Sequence, residues 1–302
     1  MFDILRRPKL SRRQFLSASL ALAGGAVAMS PRRALGESAG NRNEMVKLAL
    51  LSDTHTPNNP KNHWRGFRPY KNLQEAVGRI STDLPDGLVV TGDVARLTGD
   101  KGSYDNFKKL IAPISSQRPI HLALGNHDRR SNFIHAFRNQ PGEAEQVEGK
   151  YVVTADSSPV RLILLDSLLW VNWFPGQLGK AQRTWLRDYL EVCDDRPTLL
   201  FVHHTINDGA NDIMDAGQLV DIIKPVTKVK AVVFGHSHAC SFSQTHGIHL
   251  INVPALGFNF NDRQPVGWID ARLTARGGEF TVRAIGGNRR LDGYAKRLDW
   301  RT

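Results

Sequence analysis

Five short apolar runs in this chain each end in a tight polar cluster, and that recurrence limits the fold more than any other feature. The runs Val46–Leu51, Leu88–Thr91, Ile120–Leu124, Leu199–Val202 and Val229–Phe234 have strand length and β-branched character. They lead into Ser52-Asp53-Thr54-His55, Gly92-Asp93, Gly125-Asn126-His127-Asp128, His203-His204 and Gly235-His236-Ser237-His238. Val160–Leu165 and Ile248–Val253 read as further strands, while Leu73, Val77 and Ile80, and Trp185, Leu186, Tyr189 and Leu190, fall at helical spacing. This alternation predicts an α/β protein with sheets covered by helices. The last third, rich in strand-like pieces and turn glycines (Gly247, Gly257, Gly267, Gly277-Gly278), predicts a second, antiparallel sheet packed on the first. A basic tail, Arg289-Arg290, Lys296-Arg297 and Arg301, reads as a solvated helix or a frayed end. No composition break or internal repeat divides residues 45–302, so one domain is expected over 40–302.

In open α/β sheets the carboxyl ends of the strands face one crevice, so five clusters separated in sequence are expected to become one constellation in space. Asp, His and Asn donors without thiolate suit Mn, Fe or Zn better than a Cys-rich structural zinc site does. Two such ions ~3.5–4 Å apart repel strongly unless a carboxylate bridges them, and Asp93 is the natural bridge. The glycines before Asp93, Asn126 and His236 are expected to let the backbone turn sharply as each strand ends. Cys193 and Cys240 are too few for a disulfide framework, and one bridge or two free thiols are equally open.

The first 39 residues read as an address. Arg6, Arg7, Lys9, Arg12 and Arg13 precede an apolar run from Phe15 to Met29, followed by Ser30-Pro31-Arg32-Arg33. A basic head, short apolar body and small-residue tail fit an export signal, and the run is short for a membrane span of ~20 residues. Ser11-Arg12-Arg13-Gln14-Phe15-Leu16 resembles the twin-arginine export motif, although Ser17 stands where Lys is often found. Passage through the twin-arginine translocase to the periplasm or beyond is therefore expected, with an uncleaved anchor left open. Lys plus Arg number 40 against 29 acidic residues, a net +11. Seven basic and two acidic residues in 1–39 supply +5 of it, which leaves +6 elsewhere. That moderate surplus suits an anionic small-molecule substrate, and no stable nucleic-acid partner is expected.

Asp53-x-His55, Gly92-Asp93, Gly125-Asn126-His127-Asp128, His203 and Gly235-His236-x-His238 together resemble the signature of the calcineurin-like metallophosphoesterases. Order and spacing are most similar to the branch that contains bacterial cyclic-nucleotide phosphodiesterases, and the resemblance spans roughly 46–255. It implies a metallo-dependent phosphatase-like fold, a four-layer αββα sandwich of two packed mixed β-sheets flanked by helices. It also implies two divalent or trivalent metal ions (Mn, Fe or Zn). Asp53, His55, Asp93 and His238 would hold one ion, and Asp93, Asn126, His203 and His236 the other, with His204 adjacent rather than a ligand. The implied reaction is in-line attack of a metal-activated hydroxide on the phosphorus of a small phosphodiester or phosphomonoester, cyclic nucleotides among them. His127 would stabilise developing charge or protonate the leaving oxygen, with Asp128 holding its imidazole in a useful tautomer.

Departures from the relatives concern the substrate. Thr205-Ile206 follow the His pair where Pro is common, and Val94-Ala95-Arg96 follow Asp93, with Arg96 either reaching a substrate phosphate or, the favoured reading, serving as a surface ion-pair partner. The loop from Leu168 to Gly176 is too aromatic for an ordinary solvent loop: it either walls the site for a nucleobase, aryl group or lipid chain, or packs under the helix expected over 179–191. Residues 207–212 either cap the crevice or form a plain turn, and Asn259 and Asn261, beside Phe258 and Phe260, are further candidates to line it. His63, His121, His135, His246 and His249 read as surface or core histidines. Rival functions are a nuclease, a phospholipid-headgroup phosphodiesterase, and a non-catalytic metal-binding module. The complete set of seven candidate ligands plus His127 argues against the last. Oligomeric state is not legible.

Overall fold

The computed structural model describes residues 44–207 and 209–302, so the export signal expected in 1–39 lies outside the described residues. Thirteen strands form two sheets among the described residues. The first has six strands in the order β13 (Ala295–Asp299), β12 (Gly277–Gly287), β11 (Pro265–Thr274), β1 (Met45–Leu51), β2 (Gly87–Val90), β3 (Ile120–Leu122), and the second seven in the order β4 (Glu143–Glu145), β5 (Val152–Ser157), β6 (Val160–Leu164), β7 (Thr198–Phe201), β8 (Val229–Phe234), β10 (Ile248–Asn252), β9 (Ser241–Thr245). In the first, β1 (Met45–Leu51), β2 (Gly87–Val90) and β3 (Ile120–Leu122) run parallel. In the second, β6 (Val160–Leu164), β7 (Thr198–Phe201), β8 (Val229–Phe234) and β10 (Ile248–Asn252) run parallel, with antiparallel partners at both edges.

Strand periodicity explains the layering. Successive side chains point to opposite faces. Val46, Leu48 and Leu50 of β1 pack with Leu162, Leu164, Phe201 and Val233 of the second sheet in a core between the sheets. Ala49 and Leu51 instead meet Leu73, Val77 and Ile80 of helix α1 (Pro69–Ile80), Tyr104, Phe107 and Ile111 of α2 (Lys101–Ser115), and Phe133 and Phe137 of α3 (Arg130–Phe137). On the far side Ile163, Leu200, Val202 and Val232 meet Leu186 and Leu190 of α4 (Gly179–Val192) and Leu219 and Ile223 of α5 (Ala216–Ile223). Both faces of each central strand are buried, which is why these strands read as continuous apolar runs rather than alternating ones. The result is the four-layer αββα sandwich.

Two expectations need correction. The C-terminal strands β11 (Pro265–Thr274), β12 (Gly277–Gly287) and β13 (Ala295–Asp299) do not build a second sheet; they extend the first, because β11 pairs antiparallel with β1. The basic tail is a solvated helix only in part: Arg289 and Arg290 lie exposed in a short 3₁₀ helix (Arg289–Leu291), and the rest is ordered differently. Lys296 and Arg297 lie on edge strand β13, and the Arg301 guanidinium donates to the carbonyls of Ile223, Lys224, Val226, Val229 and His246. Cys193 and Cys240 are both free thiols.

Candidate metal centre

The five polar clusters follow the ends of β1, β2, β3, β7 and β8, all parallel strands, so both sheets deliver their loops to one place. Backbone bonds lock the loops together: Asp53 N–H donates to Gly92 O (3.1 Å), His55 N–H to Asp93 O (2.9 Å), and Gly235 N–H to His203 O (3.0 Å). Asp53, His55, Asp93, His236 and His238 all sit at left-handed φ, between 43° and 68°. A non-glycine residue there costs on the order of 1–3 kcal/mol, and such strain gathers at functional sites.

The reason for the glycines differs between positions. Gly92 has φ +123°, a conformation that side chains rarely adopt. Gly125 and Gly235 need space instead of a turn. A Cβ on Gly235 would lie 1.8 Å from Ser52 Oγ and 2.5 Å from Asp53 Oδ2.

Each central carboxylate is divided in function. Asp53 Oδ2 accepts from the His236 N–H (3.0 Å) and from the Ser52 hydroxyl, and Asp93 Oδ1 accepts from the His127 N–H (2.8 Å). The other oxygens face imidazoles. Asp53 Oδ1 lies 3.3 Å from His238 Nε2 and 3.9 Å from both His55 Nε2 and His203 Nε2. Asp93 Oδ2 lies 3.7 Å from His55 Nε2 and 3.4 Å from His203 Nε2, whose ring also reaches Asn126 Oδ1 at 3.1 Å. The His238 Nδ1–H donates to Phe258 O (2.6 Å), which leaves its Nε2 lone pair for the cluster. His236 stands beside His203, ring centroids 5.1 Å apart.

Electrostatics point the same way. Burial works to raise the Asp53 carboxyl, but His238 and His203 overcome it and hold the group well below the usual carboxylate range. Burial likewise works to lower His203, yet Asp93 and Asp53 lift it to about 9. Burial and neighbouring His203 pull His236 down to about 4. Asp53 Oδ1 is buried and has no hydrogen-bond partner among the described residues. A buried carboxylate oxygen ringed by imidazole nitrogens fits a cation, and the O/N donor set fits a divalent metal. Three donor groups within this cluster have ligand spacing: Asp53, His55 and His238; Asp53, Asp93 and His203; and His55, Asp93 and His127.

His127 is slightly exposed, with Nε2 3.9 Å from Asp93 Oδ2 and Nδ1 3.0 Å from the Leu97 carbonyl. That carbonyl, not Asp128, therefore fixes the imidazole tautomer. Asp128 spends its carboxylate elsewhere, on the backbone N–H groups of Val94, Ala95 and Gly125 and on the Tyr104 hydroxyl. Burial, then Asp93, pushes its pKa up to about 6, against those backbone bonds. Asp128 thus ties the second and third loops together. His204 is fully buried; its Nδ1 meets Ser167 Oγ at 2.7 Å and its ring lies 4.6 Å from that of His236. Beyond β10, aromatic rings meet the cluster where asparagines were expected to: Phe258 stacks on His55 (4.7 Å) and Phe260 on His238 (4.3 Å), while Asn259 Nδ2 turns to Gln264 O. Arg96, half-buried, makes no ion pair among the described residues, and burial lowers its pKa. The signal that would have revealed the phenylalanines is their position at the end of a strand parallel to β8.

The fold and the donor set define a metal-dependent phosphoric ester hydrolase. The chain belongs to the calcineurin-like phosphoesterase family, whose model matches residues 46–240. A probable cyclic nucleotide phosphodiesterase of Rhodopseudomonas palustris is 30% identical over 203 residues, 64% of this chain and 72% of that protein. A probable glycerophosphodiester phosphodiesterase of Arcobacter nitrofigilis is 26% identical over 203 residues, again 64% and 72%. Among solved structures, a dimetal phosphatase from Danio rerio shares the fold, with TM-score 0.66, 14% identity, and coverage of 85% of this chain and 99% of that one.

Proposed function

We propose that the chain is a two-metal phosphodiesterase for small phosphodiesters, with cyclic nucleotides as the leading substrates. The observation that carries this reading is Asp93 Oδ2, which faces His55 on one side (3.7 Å) and His203 on the other (3.4 Å) and so joins two half-sets of donors. Asp53, His55, Asp93 and His238 form the first half-set, and Asp93, Asn126, His203 and His236 the second. Divalent ions, if held there, would supply Lewis acidity to activate water and neutralise phosphate charge. Asp53 and Asp93 each anchor one carboxylate oxygen to a backbone N–H, which leaves the other facing the imidazoles, where it would serve as a ligand. His127, whose Nδ1–H is committed to Leu97 O, has Nε2 left for the substrate: as the imidazolium, with a proton on each nitrogen, it would donate from Nε2 to a phosphate oxygen or protonate the leaving oxygen, whereas the neutral ring can only accept there. The phosphodiesterase names of the two relatives support diesters over monoesters. Residues 1–39 serve in this reading as a twin-arginine export signal ahead of one catalytic domain over 40–302, which places the enzyme in the periplasm or outside the cell.

The test is turnover of 3′,5′-cyclic AMP, glycerophosphocholine, bis-para-nitrophenyl phosphate and para-nitrophenyl phosphate after chelation and add-back of Mn, Zn or Fe. Metal-restored cleavage that favours the diesters is expected. Preference for the monoester contradicts the reading.

A further inference from the structure

Three large aromatic side chains are exposed together on one loop. Trp170, Trp173 and Phe174 are 65%, 50% and 56% exposed, all on the loop between β6 and α4. Such a patch on a soluble protein marks a contact surface. The loop is not loose. Arg130 and Lys150 both donate to the Leu168 carbonyl, and Lys150 also donates to Gln177 O (2.6 Å), so two cations clamp its ends.

The same loop is fastened to the metal centre at three points. Ser167 Oγ meets His204 Nδ1, and Gly176 lies so close to His204 that a Cβ there would stand 2.4 Å from its Cγ. At the tip, Asn172 takes a left-handed φ of 61° and its N–H donates to Asn126 O at 2.7 Å. A fixed loop with exposed rings therefore adjoins Asn126, one of the candidate ligands. Phe260, also exposed, stacks on His238 at the other end of the donor cluster.

We propose that Trp170 and Trp173 form a wall that receives a flat aromatic or heteroaromatic ester arm of the substrate; this rests on the diesterase reading of the same site. The two indoles stand edge to face, centroids 6.2 Å apart, and present π surface and few polar groups, which suits a planar ring and offers little to a polyol arm. A lipid surface fits less well, because a membrane-facing aromatic patch calls for basic residues beside it. Residues 168–177 contain no Lys or Arg, and the two cations at the loop's ends, Arg130 and Lys150, are spent on backbone carbonyls and, for Arg130, on Asp166.

The experiment compares phenylphosphonate with methylphosphonate, two inert anions that differ only in the arm, by calorimetric titration of the metal-loaded full chain. The native chain is expected to bind the phenyl compound about tenfold more tightly, the size of one aromatic stacking contact. The double variant Trp170→Ala/Trp173→Ala should bind the two alike, and Trp170→Phe/Trp173→Phe should keep the preference. Equal affinities in the native chain, binding of neither compound, or a preference that survives the alanine variant overturns the proposal. So does binding to phosphatidylglycerol vesicles that depends on the two tryptophans without phosphonate discrimination. Turnover of bis-para-nitrophenyl phosphate is scored separately. A tryptophan-dependent phenyl preference without diester turnover keeps the wall and removes the diesterase reading; turnover without the preference does the reverse.

Discussion

A Cβ placed on Gly125 would stand 2.1 Å from Oδ1 of Asp93 and 2.2 Å from the Asp93 backbone nitrogen. The third loop is thus built against the carboxylate proposed to bridge the metals, with no room for one more carbon. Gly125→Ala should shift Asp93, cost about 1–3 kcal/mol by overpacking, and lower bound metal. Gly78→Ala is the control, since nothing lies within 4 Å of a Cβ there and the residue is in helix α1; it should stabilise by up to about 1 kcal/mol. Urea unfolding and metal content of both variants check this pair.

His127 donates its backbone N–H to Asp93 Oδ1, and its ring stands at the more exposed rim of the cluster, with Nε2 3.9 Å from Asp93 Oδ2 and Nδ1 held by Leu97. His127→Ala should lower kcat by about 10²–10⁴ while both metals stay bound. Steady-state kinetics beside metal analysis decides it, and an unchanged kcat refutes the role.

Asp128 and Tyr104 give a prediction of the opposite kind. Asp128→Asn leaves an amide NH₂ facing backbone N–H groups or the Tyr104 hydroxyl, so stability should fall by about 2–3 kcal/mol. The His127 tautomer should not change, because Leu97 O sets it. Nitrogen-15 chemical shifts of the His127 ring in the two proteins make the comparison.

Stability should also depend on pH through His121. It is buried at the edge of the first sheet, with Nδ1–H on Pro141 O, and burial lowers its pKa below 6.5 despite that bond. The folded chain therefore keeps His121 neutral where the unfolded chain begins to take a proton. Its contribution is present above pH 6.5 and is lost as pH falls from there toward the folded pKa, by at most about 1.4 kcal/mol per pH unit. His121→Asn, whose amide still donates, should show a shallower loss between pH 7.5 and 5.0 in urea unfolding. Parallel curves would contradict it.

The parallel strands and the polar clusters at their ends were legible because a strand buried on both faces writes a continuous apolar run, and five such runs stop at donor residues. Pairing between distant strands left no such mark. β11 joins β1 across more than 200 residues, so the C-terminal strands looked like a separate sheet. Short β4 (Glu143–Glu145) is polar and exposed and carries no hydrophobic signal. At the site, residue types were readable but directions were not. Asp128 follows His127 in sequence, yet its carboxylate turns to Val94, Ala95 and Tyr104. The left-handed backbone at Asp53, His55, Asp93, His236 and His238 is likewise invisible in residues that are not glycine.

The most direct test of the two-metal account is Asp93→Ala, measured by metal content per chain beside hydrolysis of bis-para-nitrophenyl phosphate. Asp93 Oδ2 approaches His55 (3.7 Å) and His203 (3.4 Å) more closely than Asp53 Oδ1 does (3.9 Å to each), so the native chain should hold two ions and cleave the diester, while the variant should hold at most one and cleave none. A variant that still binds two ions, or still turns the diester over at the native rate, would contradict the account.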